Sequence, residues 1–178
     1  HRKNRKPVVI STSSVALQEA ILGEYIPFLS RVLLDRKIIS TPLRACIRKG
    51  KERFVCDVRL SARLLAVSGK KKTAAQMAAL RSLLQHCDMD EVEGVSGFDR
   101  QLVCVPKVCP KNCLKRDICR YHKYLKTVQS APLDIQICNH NYLLADAEHR
   151  RQELRPLLQN YGAVIVGEPH KPSQAACQ

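Results

Sequence analysis

Tryptophan is absent from this chain, and aromatic residues make up only 4% of it. A core built here has to rest on Leu, Val, Ile and Ala, a composition that suits helices packed on buried strands. No stretch approaches the roughly 18 consecutive apolar residues that a bilayer crossing needs. The segment from His1 to Lys6 runs into a strand-like stretch with no signal-type apolar region. The chain therefore reads as cytoplasmic, with no membrane partner. It has neither an internal repeat nor a low-complexity tract, which excludes solenoid architectures.

Acidic residues are scarce relative to basic ones: 16 Asp and Glu stand against 30 Lys and Arg, a formal charge of +14. A surplus of this size points to a polyanionic partner, most often nucleic acid. The competing reading is a solvated surface that keeps the protein soluble. The cations are grouped, and the groups between Arg44 and Arg53 and between Lys107 and Lys126 flank cysteines. Hydrophobic residues make up 45% of the 178 positions, enough for one sizeable core or a core with a small satellite.

Nine cysteines would suit a secreted disulfide framework, but the number is odd and long cysteine-poor stretches surround the main group. Cys56 stands alone, followed by Cys109, Cys113 and Cys119 in a C-x3-C-x5-C run among lysines and arginines. Thiolates this closely gathered favour a metal or an iron-sulfur cluster over paired disulfides. Cys46, Cys87, Cys138 and Cys177 read as buried small hydrophobes.

Val8 to Ser11 is a short β-branched run, and the hydroxyls of Thr12, Ser13 and Ser14 suit a helix N-cap before Val15. Leu17, Ile21 and Tyr25 share a helical face, and Pro27 suits the restart of a helix carrying Leu29, Leu33 and Leu34. From Arg44 to Ser130 charge is dense, and Lys49-Gly50, Ser68-Gly69 and Ser96-Gly97 interrupt the periodicity. Within it, Thr73 and Gln76 predict a capping box opening a helix through about Gln85, with Met77, Leu80 and Leu84 on one face. Ile135 to Cys138 and Ala163 to Val166 read as buried strands joined by a helix from about Tyr142 to Gln159, so they should be parallel. Residues at the C-terminal ends of such strands are placed for ligand chemistry. They are Asn139 and His140 after the first strand, and Glu168 and His170 after the second.

Several segments resemble one family in the right order. VVISTSSVALQEA at Val8 to Ala20 is similar to the DNA-contacting motif after the first strand of DinG-like and XPD-like superfamily-two helicases. RKGKERFVC at Arg48 to Cys56 resembles the family's entry to its iron-sulfur domain, and CLKRDICRYH at Cys113 to His122 resembles that domain's end. NHNYLLAD at Asn139 to Asp146 resembles the segment before the Walker B strand, and Val164 to His170 lies where the family has V-I-V-DEAH.

The resemblance implies an α/β fold: a partial RecA-like parallel sheet with helices, interrupted by a mainly helical, cysteine-rich iron-sulfur insertion. Its parts would be 1–43, the insertion 44–130, and 131–178 running through a degenerate Walker B. It implies that Cys56, Cys109, Cys113 and Cys119 ligate a 4Fe-4S cluster, with Cys104 competing with Cys109 and zinc competing with iron. Thr12, Ser13 and Ser14 would contact DNA, with Gln18 buttressing their loop. Lys115, Arg116 and Arg120 would track a strand electrostatically. The partner would be single-stranded or forked DNA and the protein a monomer.

Glu168 would orient the attacking water and His170 would couple hydrolysis to DNA binding. Gly167 stands where the family has the Mg-binding Asp, and Pro169 where it has Ala; Pro172 and Cys177 also depart from the family pattern. No G-x4-G-K-S/T phosphate loop is present. The expectation is a piece of an ATP-dependent DNA helicase acting in DNA repair or under replication stress. ATP and Mg would belong to its full-length parent, and this chain alone would not be competent. The alternatives are a non-catalytic zinc- or cluster-binding nucleic-acid module, and a redox sensor using reactive thiols.

Overall fold

The computed structural model describes residues 5–68 and 73–167. The chain divides into two compact units, His1–Lys49 with Ala131–Gln178 and Gly50–Ser130. The first is α/β. Its strands β1 (Val8–Ser11), β2 (Ala45–Ile47), β3 (Ile135–Cys138) and β4 (Ala163–Val166) form one sheet in the order β2-β3-β1-β4. Every pairing is parallel, with Val8 opposite both Ile135 and Ala163, and Ala45 opposite Ile135. β-Branched residues supply most of these positions, as a pleated and covered surface favours.

The insertion begins at Gly50 and not at Arg44, because Ala45–Ile47 is a strand of this sheet. Asp134 fixes the strand's entry by accepting the Arg44 N–H at 2.8 Å. Buried Val9, Cys138 and Leu158 form the core of this unit, with Tyr142, Leu143 and Tyr161 packed against it. β4 corrects the expectation of a second buried strand. Among the described residues it pairs only with β1, and all of its residues are exposed, Ile165 at 56% and Val166 at 59%.

After β1, α1 (Val15–Ala20) runs through a π turn at Ile21–Tyr25 into α2 (Ile26–Asp35). Pro27 has no N–H to give and its ring crowds the carbonyl one turn back. The wider π turn absorbs both, so the helix continues where a restart was expected. The face carrying Leu17 and Tyr25 is exposed among the described residues, Tyr25 at 57%.

α7 (His140–Arg151) crosses from β3 to β4 and stops well before Gln159. Glu153 takes a positive φ of 56° and Pro156 follows, so the helix cannot continue. The buried Asp146 carboxylate then accepts the Leu157 and Leu158 N–H groups, each at 2.8 Å, while Arg150 donates to it at 2.7 Å. Arg48, just beyond β2 and 2% exposed, donates to Gln136 Oε1 at 3.1 Å and to the Leu157 carbonyl at 2.7 Å.

The Gly50–Ser130 unit is mainly helical: α3 (Asp57–Val67), α4 (Ala74–Ser82), α5 (Gly97–Val103) and α6 (Arg120–Ser130). Its main core gathers Val55, Leu60, Val67, Leu80, Leu83, Met89 and Val103. A second cluster joins Phe54, Val105 and Tyr121, with the Phe54 ring 5.3 Å from Tyr121 and 4.6 Å from Tyr124. The capping box of α4 has Thr73 Oγ1 accepting the Gln76 N–H and Gln76 Oε1 accepting the Thr73 N–H, each at 3.2 Å. Past Ser82 the chain tightens into turns, burying Leu83 and leaving Leu84 54% exposed.

Candidate functional site

The second unit brings its cysteines to one place by distinct local means. Cys56 is the N-cap of α3; it donates its N–H to Val103 and accepts from the Leu60 N–H, both at 2.8 Å. Cys113 and Cys119 sit in consecutive turns, the Cys113 N–H reaching Pro110 at 3.3 Å and the Cys119 N–H reaching Arg116 at 3.4 Å. Cys109 is exposed in the loop between Val105 and these turns, while Cys56, Cys113 and Cys119 are half-buried. All four line one cavity of about 700 Å³. Val58, Val105, Pro106 and Leu114 give it apolar walls, and Arg59, Lys111, Lys115 and Arg116 supply cations.

Desolvation is the largest influence on the Cys109 thiol and pushes it up; the Lys51 ammonium opposes this, and the thiols of Cys56, Cys119 and Cys113 add to the rise. Among the described residues, no three His, Cys, Asp or Glu side chains converge tightly enough to hold a single ion.

Cys104 does not line this cavity. Its carbonyl accepts from Arg59 at 3.0 Å and its sulfur lies 3.4 Å from the Gln101 carbonyl oxygen. Of the two competing positions, Cys109 is the one at the cavity. Cys138 is buried and Cys46 half-buried in the sheet, and Cys87 packs against the Phe54 cluster. Burial pushes all three thiols up, Cys138 to about 11. Cys177 lies outside the described residues.

The expected nucleic-acid contacts separate. Lys115 and Arg116 line the cavity, Lys115 reaching Ser61 Oγ at 3.4 Å and Arg116 the Lys111 carbonyl at 3.4 Å. Arg120, by contrast, points its guanidinium into the fold. Its guanidinium donates to Asp57 at 2.8 and 2.5 Å and to the Leu83 and Leu84 carbonyls at 2.9 and 3.1 Å, so its donors are committed to the fold.

Thr12 is 2% exposed, and its carbonyl accepts Gln18 Nε2 at 2.9 Å. Ser13 and Ser14 are exposed, Ser14 capping α1 through the Leu17 N–H at 3.1 Å.

At the C-terminal ends of the strands, Asn139 caps α7 by accepting the Tyr142 N–H at 2.7 Å, and His140 Nδ1 lies 2.6 Å from Ser11 Oγ. The Gly167 N–H reaches the Ser11 carbonyl at 2.8 Å. A Cβ at Gly167 would meet Ser11 O at 3.6 Å and Thr12 Cβ at 3.7 Å, ordinary contacts, so nothing steric demands glycine there. Glu168 and His170 lie outside the described residues.

Lys111, one of the basic group between Lys107 and Lys126, lines the cavity, as do Arg59 and His122, which were not singled out by sequence reasoning. His122 was signalled by its spacing, three residues after Cys119. Among the described residues no helix is long and apolar enough to cross a membrane. Comparison with protein-family models gives no match, and comparison with curated proteins gives none either.

Proposed function

We propose that this chain is part of the first motor domain of a DinG-like, ATP-dependent DNA helicase. On this reading its parallel sheet is a partial RecA-like motor, and Gly50–Ser130 is an iron-sulfur insertion that engages single-stranded or forked DNA in the cytoplasm. The observation that carries the reading is the meeting of Cys56 with Cys109, Cys113 and Cys119 around one cation-rimmed cavity. An all-thiol set suits soft metals and iron-sulfur clusters. A tetrahedral zinc site would draw its sulfurs to about 3.8 Å from one another. Among the described residues no such tight group of three is present, and a multi-atom centre is the reading this favours.

When bound, such a cluster supplies a cross-link. It closes a loop of roughly fifty residues against a local clip and so contributes folding free energy to the insertion. Lys115 and Arg116 then present fixed charge to phosphates beside it. ATP and Mg belong to the complete motor. Gly167 offers no carboxylate for Mg, and no hydrolytic step is assigned to these residues.

Gly167 is also what favours the second reading, a non-catalytic metal-bearing module that binds nucleic acid. A thiol-based redox sensor is separated from both by alkylation, since metal-held thiols resist it until a chelator is added.

Anaerobic reconstitution with iron and sulfide tests the proposal. The chain should turn brown and hold about four irons, while Cys56→Ser and Cys113→Ser should lose them. A colourless protein with stoichiometric zinc would reject the iron assignment. Binding of labelled single-stranded DNA should weaken steeply between low and moderate salt, and an affinity that stayed flat would reject the strand-binding role.

A further inference from the structure

The cavity carries a fifth donor. His122 lines it together with the four thiols. The Cys119 carbonyl accepts the Lys123 N–H at 3.0 Å, so Cys119 already belongs to the first turn leading into α6. His122 follows three residues later, on the same helical face. His122 is an exposed residue, with the neighbouring Tyr121 ring 6.3 Å from its own. Among the described thiols at the cavity, Cys109 is the exposed one and sits on a loop, whereas Cys56, Cys113 and Cys119 are held by helix caps and turns.

We propose that His122 is a donor to the same centre and can take the place of Cys109, giving the cavity two donor sets: four thiolates, or three thiolates and an imidazole. The inference rests on the reading of this cavity as a metal centre. The chemistry allows it, since imidazole binds both iron and zinc, three cysteines with one histidine form a common zinc set, and histidine replaces cysteine on iron in some clusters. Because Cys119 and His122 share a helix turn, losing Cys109 leaves this pair in place.

The full chain is reconstituted with iron and sulfide as wild type, Cys109→Ser, His122→Ala and the double variant. Iron is counted after gel filtration, and nitrogen hyperfine coupling is read on the reduced samples. Cys109→Ser should keep most of its iron and gain a nitrogen coupling that wild type lacks. The double variant should hold little iron, far less than Cys109→Ser. His122→Ala keeps the four-thiolate set but loses the alternative one, so it should load iron and give it up faster to a chelator than wild type; Cys104→Ser, away from the cavity, controls for folding. A Cys109→Ser chain as empty as the double variant, or one holding iron without nitrogen coupling, overturns the donor exchange and leaves the four-thiol centre standing. A wild-type chain that takes up neither iron nor zinc overturns the metal reading, and the exchange with it.

Discussion

Arg116 and Arg120 belong to one basic stretch and differ in what they face. The guanidinium of Arg120 is held by Asp57 and by the carbonyls of Leu83 and Leu84, while Arg116 is exposed with one long contact to a carbonyl. Arg120→Ala should lower stability by about 1–3 kcal/mol, because it strands a charged partner, and leave the salt dependence of DNA binding unchanged. Arg116→Ala should stay within about 0.5 kcal/mol in urea unfolding and flatten the log-log salt slope by about 0.7 for a lost phosphate contact.

Composition announced the cations but could not sort them, since the partner of Arg120 lies 63 positions away along the chain. Cys104 and Cys109 posed the same difficulty: both satisfied the spacing, and only the packing of the segment beside Arg59 separates them. The buried thiols were legible as hydrophobes, and they have a consequence in alkali. Burial first, then the Asp146 carboxylate, raises Cys138 from 9.0 to about 11, and burial raises Cys46 and Tyr142 as well. The fold favours the neutral thiol, so the contribution of Cys138 is complete below pH 9 and is lost as pH rises toward 11. Stability should fall over that window by at most about 1.4 kcal/mol per pH unit for each such group. Urea midpoints measured across it should show a shallower alkaline limb in Cys138→Ala.

At the scale of elements, the most legible helix start was the one with a local chemical signature. Thr73 and Gln76 sit three residues apart and close on each other's backbone as their types require. Thr73→Ala should cost about 1 kcal/mol, read as an earlier thermal midpoint, with Thr73→Ser recovering most of it. Helix ends were harder. Gln152 to Gln159 carries no single strong stop before Pro156, and the turn there is fixed by Asp146 reaching the Leu157 and Leu158 amides, a contact no periodicity encodes. The π turn ahead of Pro27 was invisible for a related reason. Proline says that a regular helix cannot pass, but not whether the chain breaks or widens. β4 has the apolar run of a covered strand, yet what covers a strand depends on its neighbours in the sheet, which its own residues do not specify.

At the scale of the molecule, two units with separate cores were foreshadowed by the shift in charge and cysteine content, and their boundary was read early. The segment Ala45–Ile47 is short, and Arg44 and Arg48 flank it closely enough to make it look like part of the charged region. Leu60 lies in the core of the Gly50–Ser130 unit at 0% exposure. Leu60→Ala should cost about 2–5 kcal/mol there. By hydrogen exchange it should strip protection from amides of α3 and α5, while those of β1 and β3 keep theirs.

The strand order has a temporal side. β3 lies between β2 and β1, which do not touch each other, yet its residues are among the last of the sheet to leave the ribosome. Until they emerge, β1 and β2 have no shared partner, and the nascent sheet stays open while the Gly50–Ser130 unit, already carrying its own apolar cluster, can condense first. Synthesis would thus complete the guest before the host, and a truncation just ahead of Ile135 would leave a folded insert tethered to two orphan strands.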